Sequence, residues 1–348
     1  MPVLLNYWMI FPLVAVVSLL LTGVIRRYAL SRNLLDIPNN RSSHAVPTPR
    51  AGGLAIVLTF FPGLLALWMI GSLPTKVLFA LFGAGSLVTW IGFLDDRRHI
   101  PPKWRLGAHF LGAAWGIFWL GDLPPLSVFG HLVHLGWAGY LLAAVYLVWV
   151  LNLYNFMDGI DGIAGIEAIT VCLGGGIVSA LFAPASQEWL VPALLLSAVA
   201  GFLCWNFPPA KIFMGDSGSG FLGLTLGLLS IQASQVNPEL FWCWLILLGV
   251  FIVDATTTLL RRAIRGKAIY EAHCSHAYQH ASRRFDAHRP VSVVVGMINL
   301  FWLLPVALLV TFGSLPGSTG LLIAYSPLIF CAFLFKAGLE VRQKNISA

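Results

Sequence analysis

Apolar residues form long runs along this chain, and short polar segments separate the runs. Most runs approach the ~20 residues that an α-helix needs to cross a bilayer, and none shows the strict alternation of a strand. We therefore predict an all-α polytopic membrane protein with about 11 transmembrane helices. The predicted spans are 4–25, 51–72, 75–94, 104–121, 135–153, 163–182, 189–206, 217–235, 240–260, 291–312 and 319–335.

The composition agrees with the hydropathy pattern. Hydrophobic residues make up 58% of the chain and charged residues 10%, and the mean hydropathy is +0.83. A soluble domain carries about 25% charged residues, so this chain lacks the side chains to cover a water-facing surface. We expect residues 1–348 to form a single integral membrane domain, with the first apolar run retained as a helix.

The positive charges indicate the orientation. The net charge is +7, and all but one of the 21 Lys and Arg residues fall in one alternate set of loops, the exception being Lys76. The positive-inside rule places that set in the cytoplasm and the N-terminus outside. Because topology and lipid headgroups explain these charges, no nucleic-acid partner is predicted.

Five of the 14 acidic residues lie at predicted cytoplasmic helix ends: Asp95, Asp96, Asp158, Asp161 and Asp216. Adjacent carboxylates at the end of a helix oppose its dipole, and they repel by ~1 kcal/mol in water or ~4 at an effective dielectric of 20. A cation, a shared proton or a basic ligand would offset the repulsion between Asp95 and Asp96. Pairing of a solvated helix end with Arg97 and Arg98 is the alternative.

The segment NLYNFMDGIDGIAG, residues 152–165, carries the second acidic motif. Asn155, Asp158 and Asp161 are spaced by three, so a helical turn would bring their oxygens to one face. Such a face suits a hard cation or a sugar nucleotide. Gly159 and Gly162 are expected to leave room for a phosphate. Two ordinary Asp-Gly turns are the alternative.

The segment NFPPAKIFMGDSGSGFLG, residues 206–223, carries the third motif. Asp216 precedes a glycine-rich helix start, which is either a plain N-cap or a phosphate site with free backbone N–H groups. Asn206 and Lys211 would add a hydrogen bond and a positive charge to a bound substrate.

Two basic loops complete the predicted cytoplasmic face. In the loop 36–53, Arg41, His44 and Arg50 could bind phosphate or simply anchor the topology. The loop YEAHCSHAYQHASRRF, residues 270–285, has neither CxxC nor HExxH spacing, so phosphate hydrogen bonds are favoured over zinc. Within the predicted spans, the central positions are nearly all apolar. The exception is Asp254, which is expected to pair with Arg261 or Arg262.

Taken in order, these motifs resemble the polyprenyl-phosphate N-acetylhexosamine-1-phosphate transferases of glycosyltransferase family 4. The matching stretches are the DxPNxRxxH loop with its following Pro and Gly-Gly at 36–53, the Asp95-Asp96 pair, NxxDGxDG at 155–162, N…FMGDxGS at 206–219, and HxxH at 273–276. The resemblance implies ten or eleven spans and a cytoplasmic cleft. It implies a Mg²⁺ site at Asp216, in which Mn²⁺ could replace Mg²⁺, and roles for Asp95 and Asp96 toward the lipid phosphate or metal. It also places Asn155 and Asp158 near the nucleotide and catalytic centre, Asn206 at uridine or phosphate, and His273 and His276 at the donor.

The implied reaction moves N-acetylhexosamine-1-phosphate from a UDP-sugar to undecaprenyl phosphate and releases UMP. The HxSHAYQ form is closer to O-antigen initiators that use UDP-GlcNAc or UDP-FucNAc/QuiNAc than to phospho-MurNAc-pentapeptide translocases, which remain the alternative. A transporter would place charge at mid-membrane rather than at helix ends. We expect Asp95, or else Asp158, to act as base. Direct attack and a covalent aspartyl-phosphate route both stay open. The resemblance is compatible with a homodimer.

Overall fold

The computed structural model describes residues 2–38, 46–98, 100–267 and 273–340, with backbone alone for 2–7. Its α-helices are α1 (Pro2–Ser31), α2 (Leu54–Met69), α3 (Thr75–Arg97), α4 (Pro102–Leu120), α5 (Trp137–Met157), α6 (Ile163–Phe182), α7 (Leu190–Asn206), α8 (Asp216–Val236), α9 (Pro238–Leu247), α10 (Gly249–Ile264), α11 (Ala277–Phe285), α12 (Arg289–Ile298), α13 (Leu304–Thr311) and α14 (Gly317–Leu334).

The helices confirm an all-α, multi-pass membrane protein. Within the described ranges, six helices are long and apolar enough to cross a membrane, or seven if a bent pair counts as one span. Helix α2 and helix α7 are apolar but shorter. Each of the eleven predicted runs overlaps helical structure, but a count of eleven spans is not confirmed.

Helix α8 lies at the centre of the bundle, packed against α3 and α5. Every residue from Ser217 to Ser234 is buried. Because its neighbours rather than lipid surround it, this helix tolerates many glycine, serine and threonine side chains. Its first residue is Asp216, so the bundle core ends directly at the acidic motifs.

The predicted span over 240–260 is helical but broken, not one continuous helix. Helices α9 and α10 meet at Leu248 with a bend of 71°. The break leaves the first N–H groups of α10 without partners in their own helix. The backbone N–H of Phe251 faces the carboxyl group of Glu167, which is fully buried in α6.

Glu167 also corrects the expectation that Asp254 is the one polar exception at mid-span. Asn299 Nδ2 donates to Glu167 Oε2 at 2.7 Å and to Thr170 Oγ1 at 2.7 Å. Asn299 opens a π-helical turn, Asn299–Leu303, that joins α12 to α13. A buried polar cluster therefore coincides with two interruptions of regular helix.

Two short antiparallel hairpins, β1 (Leu35–Asp36) with β2 (Thr48–Pro49) and β3 (Leu126–Val128) with β4 (His131–Val133), lie outside the helices. Phe213 N–H donates to the Pro49 carbonyl at 2.8 Å, and Gly52 N–H donates to the Phe213 carbonyl at 2.9 Å. These bonds hold the segment after β2 against the start of α8.

Glycines let the two backbones touch at this point. A Cβ atom on Gly53 would lie 2.4 Å from Gly218 Cα, and one on Gly218 would lie 2.6 Å from Gly53 Cα. No larger residue fits at either position without moving backbone.

Candidate active site

The start of α8 takes its cap from another helix. Asp96, at the end of α3, accepts hydrogen bonds from Asp216 N–H at 3.0 Å and from Ser217 N–H at 3.3 Å and Oγ at 3.1 Å. The free N–H groups and the positive end of the α8 dipole offset part of the cost of burying this carboxylate. Asp216 was considered as the N-cap in the sequence, but Asp96 does this work and Asp216 opens the helix.

Asp95, the neighbour of Asp96, points to a different set of partners. It accepts from Ile100 N–H at 2.7 Å and from Arg105 Nη1 at 2.5 Å, and its side chain is only 6% exposed. Arg105, in the first turn of α4, also lies 3.4 Å from Asp216 Oδ2. The two adjacent carboxylates are therefore separated by function: Asp96 caps a helix, and Asp95 holds an arginine.

Asn155 fixes the other oxygen of Asp216. Its Nδ2 donates to Asp216 Oδ1 at 2.9 Å and to Ser219 Oγ at 2.9 Å. Asn155 lies in the last turn of α5, so α5 and α8 meet at this carboxylate. The Asp216 side chain stays 35% exposed, and it faces the adjoining cavity.

That cavity has a volume of about 230 Å³ and opens among the three acidic motifs. Its walls include Arg50, Asp96, Asn155, Asp158, Asp161, Phe213, Asp216, Gln279 and His288. The side chain of Asp158 has no hydrogen-bond partner among the described residues, although its backbone N–H donates to the Asn155 carbonyl at 3.3 Å. Burial, followed by the charges of Asp216, Asp96 and Asp161, raises the pKa of Asp158 well above its usual range. The cavity therefore presents a carboxyl group that holds a proton readily and is available to a ligand.

Asp161 and Asn206 shape the loop rather than standing free. Asp161 Oδ2 accepts from Ala210 N–H at 2.9 Å, and His288 Nδ1 lies 3.1 Å from Asp161 Oδ1. Asn206 is buried, accepts from Gly162 N–H at 3.1 Å and donates to the Ile212 carbonyl at 3.0 Å. Both residues border the cavity, but their polar groups already have partners.

The glycines of the DGIDG loop have a packing role that differs from the expected one. A Cβ on Gly159 would lie 2.1 Å from the Tyr278 hydroxyl, which donates to the Phe156 carbonyl at 3.0 Å. Gly162 has φ +75° and lies against Pro208. These positions are glycine because protein atoms approach them, so space for a phosphate is not needed to explain them.

Asp254, in α10, caps the N-terminus of another helix, α11. It accepts from Ala277 N–H and Tyr278 N–H, each at 2.9 Å, and from the Thr258 hydroxyl at 3.1 Å. Arg261, one of the two predicted partners, instead donates to the Ala337 carbonyl. Asp254 thus anchors the start of α11 and lies 3.4 Å from His276 Nδ1.

The two predicted histidines, His273 and His276, do not line the cavity. His276 is 2% exposed, and its ring stacks on His273 with centroids 4.9 Å apart. Burial and then the nearby His276 lower the pKa of His273 to about 3, so its imidazole is neutral at pH 7. Lys211 is exposed near Trp205 and does not line the cavity. Arg41 and His44 lie outside the described residues.

Three residues of the site were not selected from the sequence: Arg105, which contacts Asp95 and Asp216, and Gln279 and His288, which line the cavity. Gln279 ends the HxSHAYQ stretch, but Arg105 and His288 belong to no recognisable spacing. Their positions depend on how α4, α11 and α12 pack, which local sequence does not encode.

A divalent cation fits these residues in one particular way. The described residues contain no group of three or more His, Cys, Asp or Glu side chains arranged to hold a metal. Mg²⁺ needs no such cage, because it usually takes one or two carboxylates and completes its shell with waters and substrate phosphates. Asp216 and Asp158, which repel each other across one cavity, suit this kind of binding.

Comparison with known proteins agrees with the site. Glycosyl transferase family 4 matches residues 78–234. The chain is 31% identical over 82% of its length to the Bacillus subtilis (strain 168) protein named "Probable undecaprenyl-phosphate N-acetylglucosaminyl 1-phosphate transferase", covering 79% of that protein. It is 27% identical to the Thermotoga maritima "Undecaprenyl-phosphate alpha-N-acetylglucosaminyl 1-phosphate transferase", over 83% of this chain and 87% of the relative.

A third relative acts on a different sugar. The Gluconacetobacter diazotrophicus "Phospho-N-acetylmuramoyl-pentapeptide-transferase" is 32% identical over 62% of this chain and 65% of its own length. The fold and site define a multi-pass membrane glycosyltransferase. The chain belongs to glycosyl transferase family 4, as a polyprenyl-phosphate sugar-1-phosphate transferase.

Proposed function

We propose that this protein transfers N-acetylglucosamine-1-phosphate from UDP-GlcNAc to undecaprenyl phosphate, with release of UMP, and that Mg²⁺ assists. The observation that carries the proposal is the Asp158 side chain, which accepts no hydrogen bond from the described residues and shares a cavity with Asp216. The names of the Bacillus and Thermotoga relatives support GlcNAc as the sugar and undecaprenyl phosphate as the acceptor.

Asp216 is the residue proposed to hold Mg²⁺, with Asn155 keeping its carboxylate in place. When bound, the cation supplies charge neutralisation for the diphosphate and for the departing UMP. Mn²⁺ is expected to substitute. The protein itself holds Asp216 in place at the N-terminus of α8, because Asp96 caps that end of the helix.

In its ionised form, Asp158 is proposed as the base that takes the remaining proton from the lipid phosphate, since a raised pKa makes its carboxylate a stronger base than an ordinary aspartate. A phosphate monoester has a second pKa near ~6, so at neutral pH this step completes a deprotonation that is largely achieved. Asp95 was the first choice from the sequence. Asp158 is the better candidate, because Asp95 is engaged by Arg105 and is only 6% exposed. Arg50, which lines the cavity and pairs with Asp36, is proposed to face the phosphates.

The cavity is proposed to open to the cytoplasm, where UDP-sugars are made, with the N-terminus in the periplasm. The distribution of Lys and Arg supports this orientation. The HxSHAYQ loop supports initiation of O-antigen as the pathway, with UDP-FucNAc or UDP-QuiNAc as the alternative donors. Transfer of phospho-MurNAc-pentapeptide is the second candidate, favoured by the similarity to the Gluconacetobacter enzyme.

Release of UMP by the purified protein tests the proposal. Undecaprenyl phosphate, Mg²⁺ and each of several UDP-sugars are supplied, and UDP-GlcNAc is expected to give the fastest release. Asp158→Asn is expected to lower kcat by roughly 10²–10⁴-fold, the usual contribution of a general base. Asp122→Asn is the matched control. It removes a carboxylate from the loop between α4 and β3, away from the acidic motifs, and should retain activity.

Two results would contradict the proposal. Absence of UMP with every donor, while UDP-sugars still bind, would favour transport. Full activity of Asp158→Asn would remove this residue as the base.

A further inference from the structure

Arg105 links two of the three acidic motifs through one guanidinium. Its Nη1 lies 2.5 Å from Asp95 Oδ2 on α3 and 3.4 Å from Asp216 Oδ2 on α8. The arginine side chain is 25% exposed, so it contacts both carboxylates from within the protein rather than from bulk water. The shorter contact, to Asp95, is its anchor, and the longer one reaches the proposed cation ligand.

Nearby cations at the ends of α3 and α4 are directed elsewhere. The Arg97 guanidinium lies over the Phe93 ring, 4.3 Å from its centroid, and Lys103 Nζ lies 5.6 Å from the Trp104 ring centroid. Of these three cations, Arg105 is the one that contacts Asp216. A positive charge there offsets the repulsion between Asp216 and the carboxylates around it.

We propose that Arg105 is an internal counter-cation that neutralises Asp216 before a divalent ion arrives and competes with that ion for the same carboxylate. This inference rests on the proposed role of Asp216. An ion held by Asp216 would displace Arg105 from that carboxylate and leave it on Asp95, because two positive charges beside one carboxylate repel. Without metal, Arg105 keeps the acidic side chains together. With metal, its competition lowers the affinity of the site for free Mg²⁺.

Direct measurement of Mg²⁺ binding without substrate tests this role. Isothermal titration would compare the wild type with Arg105→Met, which removes the charge and keeps the length of the chain. Removing the competitor should tighten Mg²⁺ binding by roughly 5- to 150-fold, the usual range for coupling between two binding events. Lys103→Met is the matched control: it deletes the same charge two residues away and should bind Mg²⁺ as the wild type does.

Two further variants keep the test decisive. Arg105→Gln retains a hydrogen-bond donor toward Asp95, so it replaces the Met variant if that one does not fold. Arg105→Lys keeps the charge and should bind Mg²⁺ with affinity close to that of the wild type. Because the readout is equilibrium binding, a purely structural role for Arg105 would lower or leave unchanged the affinity, not raise it.

The possible failures are distinguishable. If the neutral variants bind Mg²⁺ no more tightly than Lys103→Met does, Arg105 is not a competitor and this inference is overturned, while the proposed function stands. If the wild type binds no Mg²⁺ with or without UDP-GlcNAc, the metal role of Asp216 fails, and this inference fails with it.

Discussion

At the scale of single residues, each carboxylate at the site has a different task. Asp96 caps α8, Asp95 holds Arg105, and Asp161 contacts Ala210 and His288. Asp158 has none of these partners within the described residues, and its raised pKa shows that its ionised form is poorly stabilised in the metal-free protein. A residue kept in a destabilising state is a common mark of function.

This has a consequence for stability. A carboxyl group whose pKa is higher in the folded than in the unfolded state binds more protons when folded, so stability falls as pH rises through the folded pKa. Asp158→Asn removes that loss. In EDTA, its Tm should exceed that of the wild type at pH 8, and the difference should shrink as the pH is lowered.

Thermal unfolding in detergent over a series of pH values measures this effect. The Asp122→Asn control should follow the wild type throughout. A Tm for Asp158→Asn that is at or below that of the wild type at pH 8 would show that the folded protein does not resist ionisation of Asp158.

At the scale of elements, buried carboxyl groups of one helix accept hydrogen bonds from the first N–H groups of another. Asp96 of α3 caps α8, and Asp254 of α10 caps α11. Glu167 of α6 faces the first turn of α10 at the break after Leu248. Glu167 Oε1 and Asn299 Oδ1 are both buried without a partner in the described part of the chain. A proton on Glu167 would supply a donor where only acceptors remain.

We therefore expect a neutral amide to serve at position 167. Glu167→Gln should keep a Tm near that of the wild type, whereas Glu167→Leu should lower stability by about 1–3 kcal/mol, because it removes one of the two acceptors of the Asn299 amide and the acceptor of the Phe251 N–H. Thermal unfolding measures both, and Asn299→Leu combined with Glu167→Leu should recover part of the loss. Strong destabilisation by Gln would show that the group is charged.

At the scale of the whole molecule, the site gathers at one end of the bundle and the β3–β4 hairpin lies in a loop that was predicted for the opposite face. If the acidic end faces the cytoplasm, a cysteine placed at Gln187 should react with a membrane-impermeant maleimide in intact cells, and one at Asp286 should not. The background for both is a variant without the native cysteines. The reverse labelling pattern would contradict the orientation.

Long-range hydropathy was sufficient to predict the fold class, because lipid imposes one requirement on every span. The acidic motifs were also visible, since charge is rare in such a chain. Which carboxylate does what was not, because the Asp96 and Asp254 caps join residues 120 and 23 positions apart. The bend at Leu248 and the polar pair Glu167–Asn299 were missed for the same reason: each depends on a neighbouring helix.

The contact between Gly53 and Gly218 couples the segment after β2 to the start of α8. Gly53 lies three residues after Arg50, which borders the cavity, and Gly218 lies two residues after Asp216. Their backbones touch, so the loop before α2 cannot change its path here without moving the start of α8. A new donor preference acquired through this loop would also shift Asp216, the proposed cation ligand, which leaves the loop little freedom to evolve on its own.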